Sequence, residues 1–389
     1  LRLMDTLFII LITLCISSIL IFLFNFFFNS NSKTKKKIPP GPFSFPFIGN
    51  LPLLINKSLI DIELMLKKLM SKYGPIITLK IGTNTTNIFI SSHSLAYQSL
   101  IQQGPLCSDR PLALPTNHVL SSKDRSINTA SCGPTWRVLR RNLRANMLQP
   151  SLIESRSKSR AERVLNILVQ KIIHESDSEM GVILLDDQLK HAIFSLLAYM
   201  CFGDKQLDDV EINRIKDVHH RALLATIRFQ ILNIFPRLGK LIFRNRWKEL
   251  NAIREELDST FTPLIQARMK HKDEEETVCY VDTLLNLEVP EEKRKLSKEE
   301  IVSLCGEFLG AGSDTTSTAL QWTLAYLVKY PAIQEKLYSE IVSTTRKPEG
   351  ENRDKLITEE DIRKLSYLKA VILESLRMHP PSHFSLPHR

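Results

Sequence analysis

Residues 309–318 read Leu-Gly-Ala-Gly-Ser-Asp-Thr-Thr-Ser-Thr, and they lie inside a stretch whose other features predict one long helix. Ser297 and Glu300 make a capping-box pattern at its start, and Pro331 marks its end. An apolar stripe runs through Ile301, Leu304, Cys305, Phe308, Ala311, Gly312, Thr315, Ala319 and Trp322 at spacings of three and four. The middle of that stripe has lost its bulk. Glycines near a helix centre cost about 1 kcal/mol each relative to alanine, and hydroxyl residues offer the backbone competing hydrogen bonds. Two readings account for such a penalty: close packing of a second helix, or a helix laid across a flat cofactor or substrate. On the second, Ala311 and Thr315 stand one turn apart on the inward face with Asp314 beside them. An acid next to an alcohol can relay protons to a bound ligand.

The chain has 389 residues, 43% of them apolar, with a formal charge of +10 from 52 basic and 42 acidic residues. A substantial core is therefore available. Thr6 to Ser32 carries no charge, and residues 7–28 are almost entirely apolar. About 20 residues at 1.5 Å each cross the hydrocarbon core of a bilayer. Lys33, Lys35, Lys36 and Lys37 follow at once, against only Arg2 and Asp5 on the other side. The positive-inside bias then leaves the bulk of the chain in the cytosol. Residues 6–28 are expected to form a transmembrane signal anchor; a cleavable leader would have a shorter apolar run and a small-residue cleavage site. The six cysteines show no Cys-x-x-Cys spacing, and Cys15 and Cys305 read as apolar filler rather than metal ligands.

Residues 33–50 form a basic and proline-rich strap, held extended by Pro39, Pro40, Pro42 and Pro46. Residues 62–73 predict a short helix, and residues 76–81 and 87–91 a β-hairpin. The rest is mainly α with small β-sheets, so residues 51–389 are expected to make one domain, with the charged runs 270–276 and 291–295 as exposed connectors. After Gly133-Pro134, a predicted helix carries Trp136 and Arg140 as an i, i+4 pair, with Arg137, Arg141 and Arg144 on the same face. The indole and guanidinium either grip a buried carboxylate together or belong to a solvated basic face. Nucleic acid is disfavoured as a partner, because no aromatic residues interleave the basic ones. Glu374 and Arg377 lie in a helix expected to begin near Thr358 and end at His379-Pro-Pro, and read as a surface pair or a partly buried one fixing a loop. The start Leu1-Arg-Leu before Met4 and the abrupt end on Phe384–Arg389 suggest a partial sequence.

In combination, the anchor with its strap, Ser108-Asp-Arg-Pro111, Trp136-x-x-x-Arg140, Cys201-Phe-Gly203, Ala311-Gly-Ser-Asp-Thr-Thr316 and Glu374-x-x-Arg377 before Pro380-Pro381 resemble the cytochrome P450 family, in its membrane-anchored plant microsomal form. The resemblance implies a P450-like single domain behind an N-terminal transmembrane helix in the endoplasmic reticulum membrane, with the catalytic part cytosolic. It implies haem b as cofactor, with Ala311 and Gly312 on its distal side. Asp314 and Thr315 would be the catalytic acid–alcohol pair, and Trp136, Arg140 and His388 the propionate contacts. Glu374 and Arg377 would lock the proximal side, and residues 112–130 would cover the pocket. The basic face would meet an NADPH-dependent reductase, and the substrate would be a small apolar or amphipathic molecule. The family's Phe-x-x-Gly-x-Arg-x-Cys loop, which supplies the axial thiolate, does not occur in these 389 residues. An incomplete, inactive haem-monooxygenase domain is therefore expected. The alternatives are a haem-dependent isomerase or dehydratase, and a haemless membrane-tethered fragment that binds a ligand or partner.

Overall fold

Helix α1, Arg2–Phe28, coincides with the apolar N-terminal run. The computed structural model describes residues 2–28, 38–45, 48–55, 57–82, 85–112, 114–177, 182–204, 207–229, 231–234, 242–270, 278–345, 357 and 359–389. The basic cluster at 33–37 and the charged run at 271–276 lie outside them. Within α1 the side chains of residues 10–23 are all exposed. Among the described residues no helix is long and apolar enough to cross a membrane.

The chain divides into two compact units, Leu1–Cys107 and Ser108–Arg389, a boundary inside the span read above as one domain. In the first, the described parts of the strap, 38–45 and 48–50, dock on a hairpin of β1, Ile76–Ile81, and β2, Thr85–Ile90, with Phe45 and Gly49 closing a turn between them. Thr78 N–H donates to Pro40 O at 2.9 Å, and Asn50 N–H to Lys80 O at 2.6 Å. Helix α2, Leu59–Tyr73, starts three residues earlier than expected because Ser58 and Asp61 complete a capping box. Its Leu66 buries against Ile77 and Leu79 of β1. Helix α3, His93–Tyr97, follows.

The second unit is helical almost throughout. Helices α4 (Pro115–Leu120), α5 (Pro134–Asn146) and α6 (Pro150–Ser176) each open on a proline, where the missing N–H has no intrahelical partner to lose. Next come α7 (Leu185–Phe202), α8 (Asp209–Arg228), α9 (Ile231–Ile234), α10 (Arg244–Lys270) and α11 (Tyr280–Leu285). A short antiparallel pair, β3 (Glu288–Val289) and β4 (Arg294–Lys295), leads into the long α12, Lys298–Lys329. Helices α13 (Pro331–Thr345), α14 (Glu359–Lys364) and α15 (Ser366–Met378) complete the order. The core gathers where α7, α10, α11 and α12 meet. Phe202 and Phe261 pack edge-on at 5.4 Å, Tyr280 tilts over Phe308 at 4.9 Å, and Cys201 and Cys305 are fully buried among them.

Three expectations need correction. Residues 291–295 are exposed as expected except for the half-buried Arg294, but they are not a simple connector: they form the β3–β4 turn and strand, with Arg294 forked onto Glu300 at 2.7 and 2.8 Å. The helix expected from Thr358 is broken at the buried Leu365, whose backbone is not helical. It restarts as α15 because Glu340 of α13 accepts from the N–H groups of Tyr367 and Leu368 at 2.8 and 2.9 Å, a carboxylate on the positive end of the dipole. Finally, Glu374 and Arg377 are bidentate at 2.7 and 2.8 Å but lie in solvent, with side chains 55% and 69% exposed. Their partial burial does not occur.

The one guanidinium–carboxylate pair that is buried on both sides among the described residues joins α10 to α11. Arg268 donates through Nε and Nη2 to the two oxygens of Asp282, both at 2.8 Å, with side chains 1% and 4% exposed. Asp282 also accepts from Cys279 N–H at 2.7 Å. Removing one partner leaves the other charge buried, which typically costs about 3–5 kcal/mol. Asp282→Ala is expected to lower the unfolding free energy by about that amount in guanidinium titrations; a loss below about 1 kcal/mol would show the pair to be dispensable.

Candidate functional site

Helix α12 is fixed at its start by the predicted capping box, Glu300 N–H to Ser297 Oγ at 3.2 Å and Ser297 N–H to Glu300 Oε2 at 2.7 Å. The thinned stretch then serves two sides at once. A Cβ on Gly312 would stand 2.8 Å from Leu197 Cδ1 of α7, and one on Gly310 would stand 3.0 Å from the His219 ring of α8. Both glycines therefore admit neighbouring helices. Gly312, expected beside a cofactor, is partly buried and lies against Leu197. His219 fills the slot at Gly310 and donates from Nε2 to Gly306 O at 3.0 Å, while burial pushes its pKa down. Ser313 and Ser317 are buried. Ala311, Asp314 and Thr315 are exposed on a different side, and Thr315 Oγ1 donates to Ala311 O at 2.7 Å. The acid–alcohol pair, expected on the inward face, thus lies on an exposed strip of α12.

Helix α5 is held from a distance. Glu291, in the β3–β4 turn, accepts from Thr135 N–H at 3.0 Å and from the Thr135 hydroxyl. These bonds hold the Glu291 carboxyl below its ordinary pKa. The cap sets Trp136, whose indole N–H donates to Ile127 O at 3.1 Å. No carboxylate receives it in this structure. Arg140 is exposed, as are Arg137, Arg141 and Arg144, which together form a solvated basic face. Sequence spacing brought Trp136 and Arg140 together; their surroundings separate them, one satisfied by a loop and the other turned to solvent.

The same Ile127 is held from its other side. Its N–H donates to Glu307 Oε2 at 2.8 Å and that of Asn128 to Oε1 at 2.5 Å. Burial raises the pKa of Glu307 to about 7, against the opposing pull of these two bonds. Upstream, Ser122, Lys123 and Asp124 adopt φ of 48°, 58° and 65°. Three successive non-glycine residues in this left-handed region cost roughly 1–2 kcal/mol each, so something must over-determine them. Arg254 of α10, 8% exposed, does much of it. It donates to Leu120 O at 2.6 Å, Ser303 Oγ at 2.7 Å, and Ser122 Oγ and Glu299 O at 3.0 Å each.

At the far end of the chain, the exposed segment with His388 lies along Asp109–Arg110. Arg389 N–H donates to Asp109 O at 2.8 Å and Arg110 Nη1 to Pro387 O at 3.0 Å. His379, after α15, stacks on Trp322 of α12 at 3.7 Å and contacts the Tyr326 hydroxyl at 2.5 Å. Sequence reasoning passed over Glu307, Arg254 and Glu291. Only for Glu307 was a signal present, an acidic residue set at the edge of the apolar stripe.

Residues 39–389 match the family model described as Cytochrome P450. Cytochrome P450 89A9 of Arabidopsis thaliana is 45% identical over 359 residues, covering 91% of this chain and 69% of that protein. Isoflavone 2'-hydroxylase of Medicago truncatula is 27% identical, covering 90% and 69% respectively. A zebra fish cytochrome P450 solved with progesterone superposes with a TM-score of 0.67 at 21% identity, over 84% of this chain and 73% of that one, a likeness of fold alone. The chain spans about two thirds of the length of these curated relatives.

The buried carboxylate sets a pH dependence. Because the folded pKa of Glu307 lies above the ordinary 4.5, its contribution is most favourable below that value and is lost as pH rises through about 7. Glu307→Gln should therefore remove roughly 1–3 kcal/mol of stability loss between pH 5 and 8. Denaturant midpoints of wild type and variant that run parallel over this range would contradict it.

Proposed function

The chain belongs to the cytochrome P450 family, whose members are haem-thiolate monooxygenases, and we propose that it carries the distal-side machinery of such an enzyme. The reaction is insertion of one oxygen atom from O2 into a small apolar or amphipathic organic molecule, with electrons from NADPH arriving through a reductase. One observation carries this reading: the strip on α12 where Thr315 Oγ1 rests on Ala311 O, open to solvent and edged by small side chains.

The residues present fit one face of a haem. Ala311 offers no bulk toward a flat ring, and Arg140 is an exposed cation that could meet a propionate, with His388 on the exposed C-terminal segment as a second contact. The opposite requirement, a thiolate, is not met by the core cysteines, because burial pushes the thiols of Cys201 and Cys279 up. When bound, haem supplies the dioxygen-activating chemistry. The chain's own part is proton handling. In the resting arrangement the Thr315 hydroxyl proton is committed to Ala311 O. Rotation about χ1 frees it toward the open strip, and the exposed Asp314 beside it can pass a replacement proton from water.

The apolar helix α1, with residues 6–28 as its anchor and 33–50 as its strap, would hold the domain at residues 51–389 on the cytosolic side of the endoplasmic reticulum membrane. The exposed arginines of α5 would present a basic surface to the reductase.

A form of the protein that also carries the thiolate loop, reconstituted with an NADPH-dependent reductase and reduced under carbon monoxide, is expected to show the Soret band of a thiolate-ligated haem; a preparation of that form that never shows it would overturn the reading. In the same system Thr315→Ala should keep consuming NADPH while product falls about tenfold or more and hydrogen peroxide rises to match. Product formation per NADPH equal to wild type would remove Thr315 from the relay.

A further inference from the structure

The strained turn and the clasp at Glu307 share one rail. Glu299, Ser303 and Glu307 follow each other at intervals of four along α12, and the next two positions in that series are Ala311 and Thr315. Ser122 reaches the first two, with its hydroxyl 2.7 Å from both Glu299 O and Ser303 Oγ. Ile127 and Asn128 reach the third. The loop is therefore laid along the helix up to one turn short of the open strip, and Trp136 closes on its Ile127 carbonyl.

What keeps it there is unusual. Left-handed backbone at Ser122, Lys123 and Asp124 favours release, since none of the three is glycine. Opposing it, the Arg254 guanidinium spans loop, α12 and its own helix, where Nε donates to Asp258 Oδ2 at 2.9 Å. Five acceptors on three segments match the planar fork of arginine and not the single ammonium of lysine.

We propose that Arg254 is a positioning residue for the proposed haem side of α12: it holds the strained 120–128 segment on the Glu299–Ser303–Glu307 rail, and through Ile127 it sets the place of Trp136. The hold itself needs no cofactor; its bearing on haem rests on the function proposed above.

Amide hydrogen exchange on the purified chain reads the hold directly. In Arg254→Lys, exchange at residues 125–130 should accelerate tenfold or more while the core of α7 at 198–202 keeps its wild-type rate. Equal acceleration at both places would mean general destabilisation and overturn the proposal, as would no change at either. Lys123→Gly guards against a variant that fails to fold. Relief of its left-handed cost should slow exchange at 125–130 about threefold or more and raise the thermal midpoint, whereas a lowered midpoint with faster exchange would show that no strain is stored. Haem retention after reconstitution, measured on a form of the protein that also carries the thiolate loop, then separates the two claims. If wild type retains haem, Arg254→Lys should lose it several-fold faster, and equal retention would overturn the link to Trp136. If wild type retains none, the haem reading fails, and the exchange rates alone decide the role of Arg254.

Discussion

Leu197 and His219 approach α12 so closely that side chains at Gly312 and Gly310 would meet them at 2.8 and 3.0 Å, and this approach governs much of what surrounds it. With α7 and α8 pressed onto one side and α10 and α11 completing the core, the loop at 121–130 and the exposed residues Ala311 and Thr315 occupy other parts of the helix. A methyl at either glycine would push a neighbouring helix away from backbone it touches, and interiors packed at crystal-like density transmit such shifts. The open strip is thus a product of the closed side. Its exposure is set by which partners the helix has already accepted.

Carboxylates carry the second level of organisation. Glu291 caps α5, Glu340 caps α15, and Glu307 gathers two loop amides. In each case the acceptor comes from another element, so the helix or loop it serves depends on tertiary structure. Energetically the three differ. Glu291 and Glu340 lie near water, where hydrogen bonds hold their pKa values down, whereas burial dominates at Glu307 and drives its pKa up. The same chemical group thereby stabilises two helix ends and makes one loop contact sensitive to pH.

Legibility in the sequence followed the range of the interaction. The capping box at Ser297, the long helix after it and the hairpin at residues 76–90 rest on neighbours within a few positions, and local pattern found them. The thinned stretch at 309–318 presented two readings as rivals; its glycines Gly310 and Gly312 serve packing, while Ala311 and Thr315 are exposed. A stripe drawn at spacings of three and four is wide enough to include Gly312, whose Cβ position meets Leu197, together with the exposed Ala311 and Thr315. Arg254 gave no sign of itself, since its acceptors at Leu120, Ser122, Glu299 and Ser303 are 45 to 134 positions away. The break at Leu365 was hidden for the same reason, its cap coming from Glu340.

The cap on α5 has a bearing on how the chain comes into being. Glu291 lies 156 residues beyond the threonine it serves. At typical rates of synthesis, about 10 to 30 s pass between the two leaving the ribosome. Through that interval the amide end of the Trp136 helix has only water for company, and the loop around Ile127 has neither its carboxylate nor its guanidinium. The region built around Trp136 therefore waits on residues as late as Glu291 and Glu307, although it is encoded in the first half of the chain.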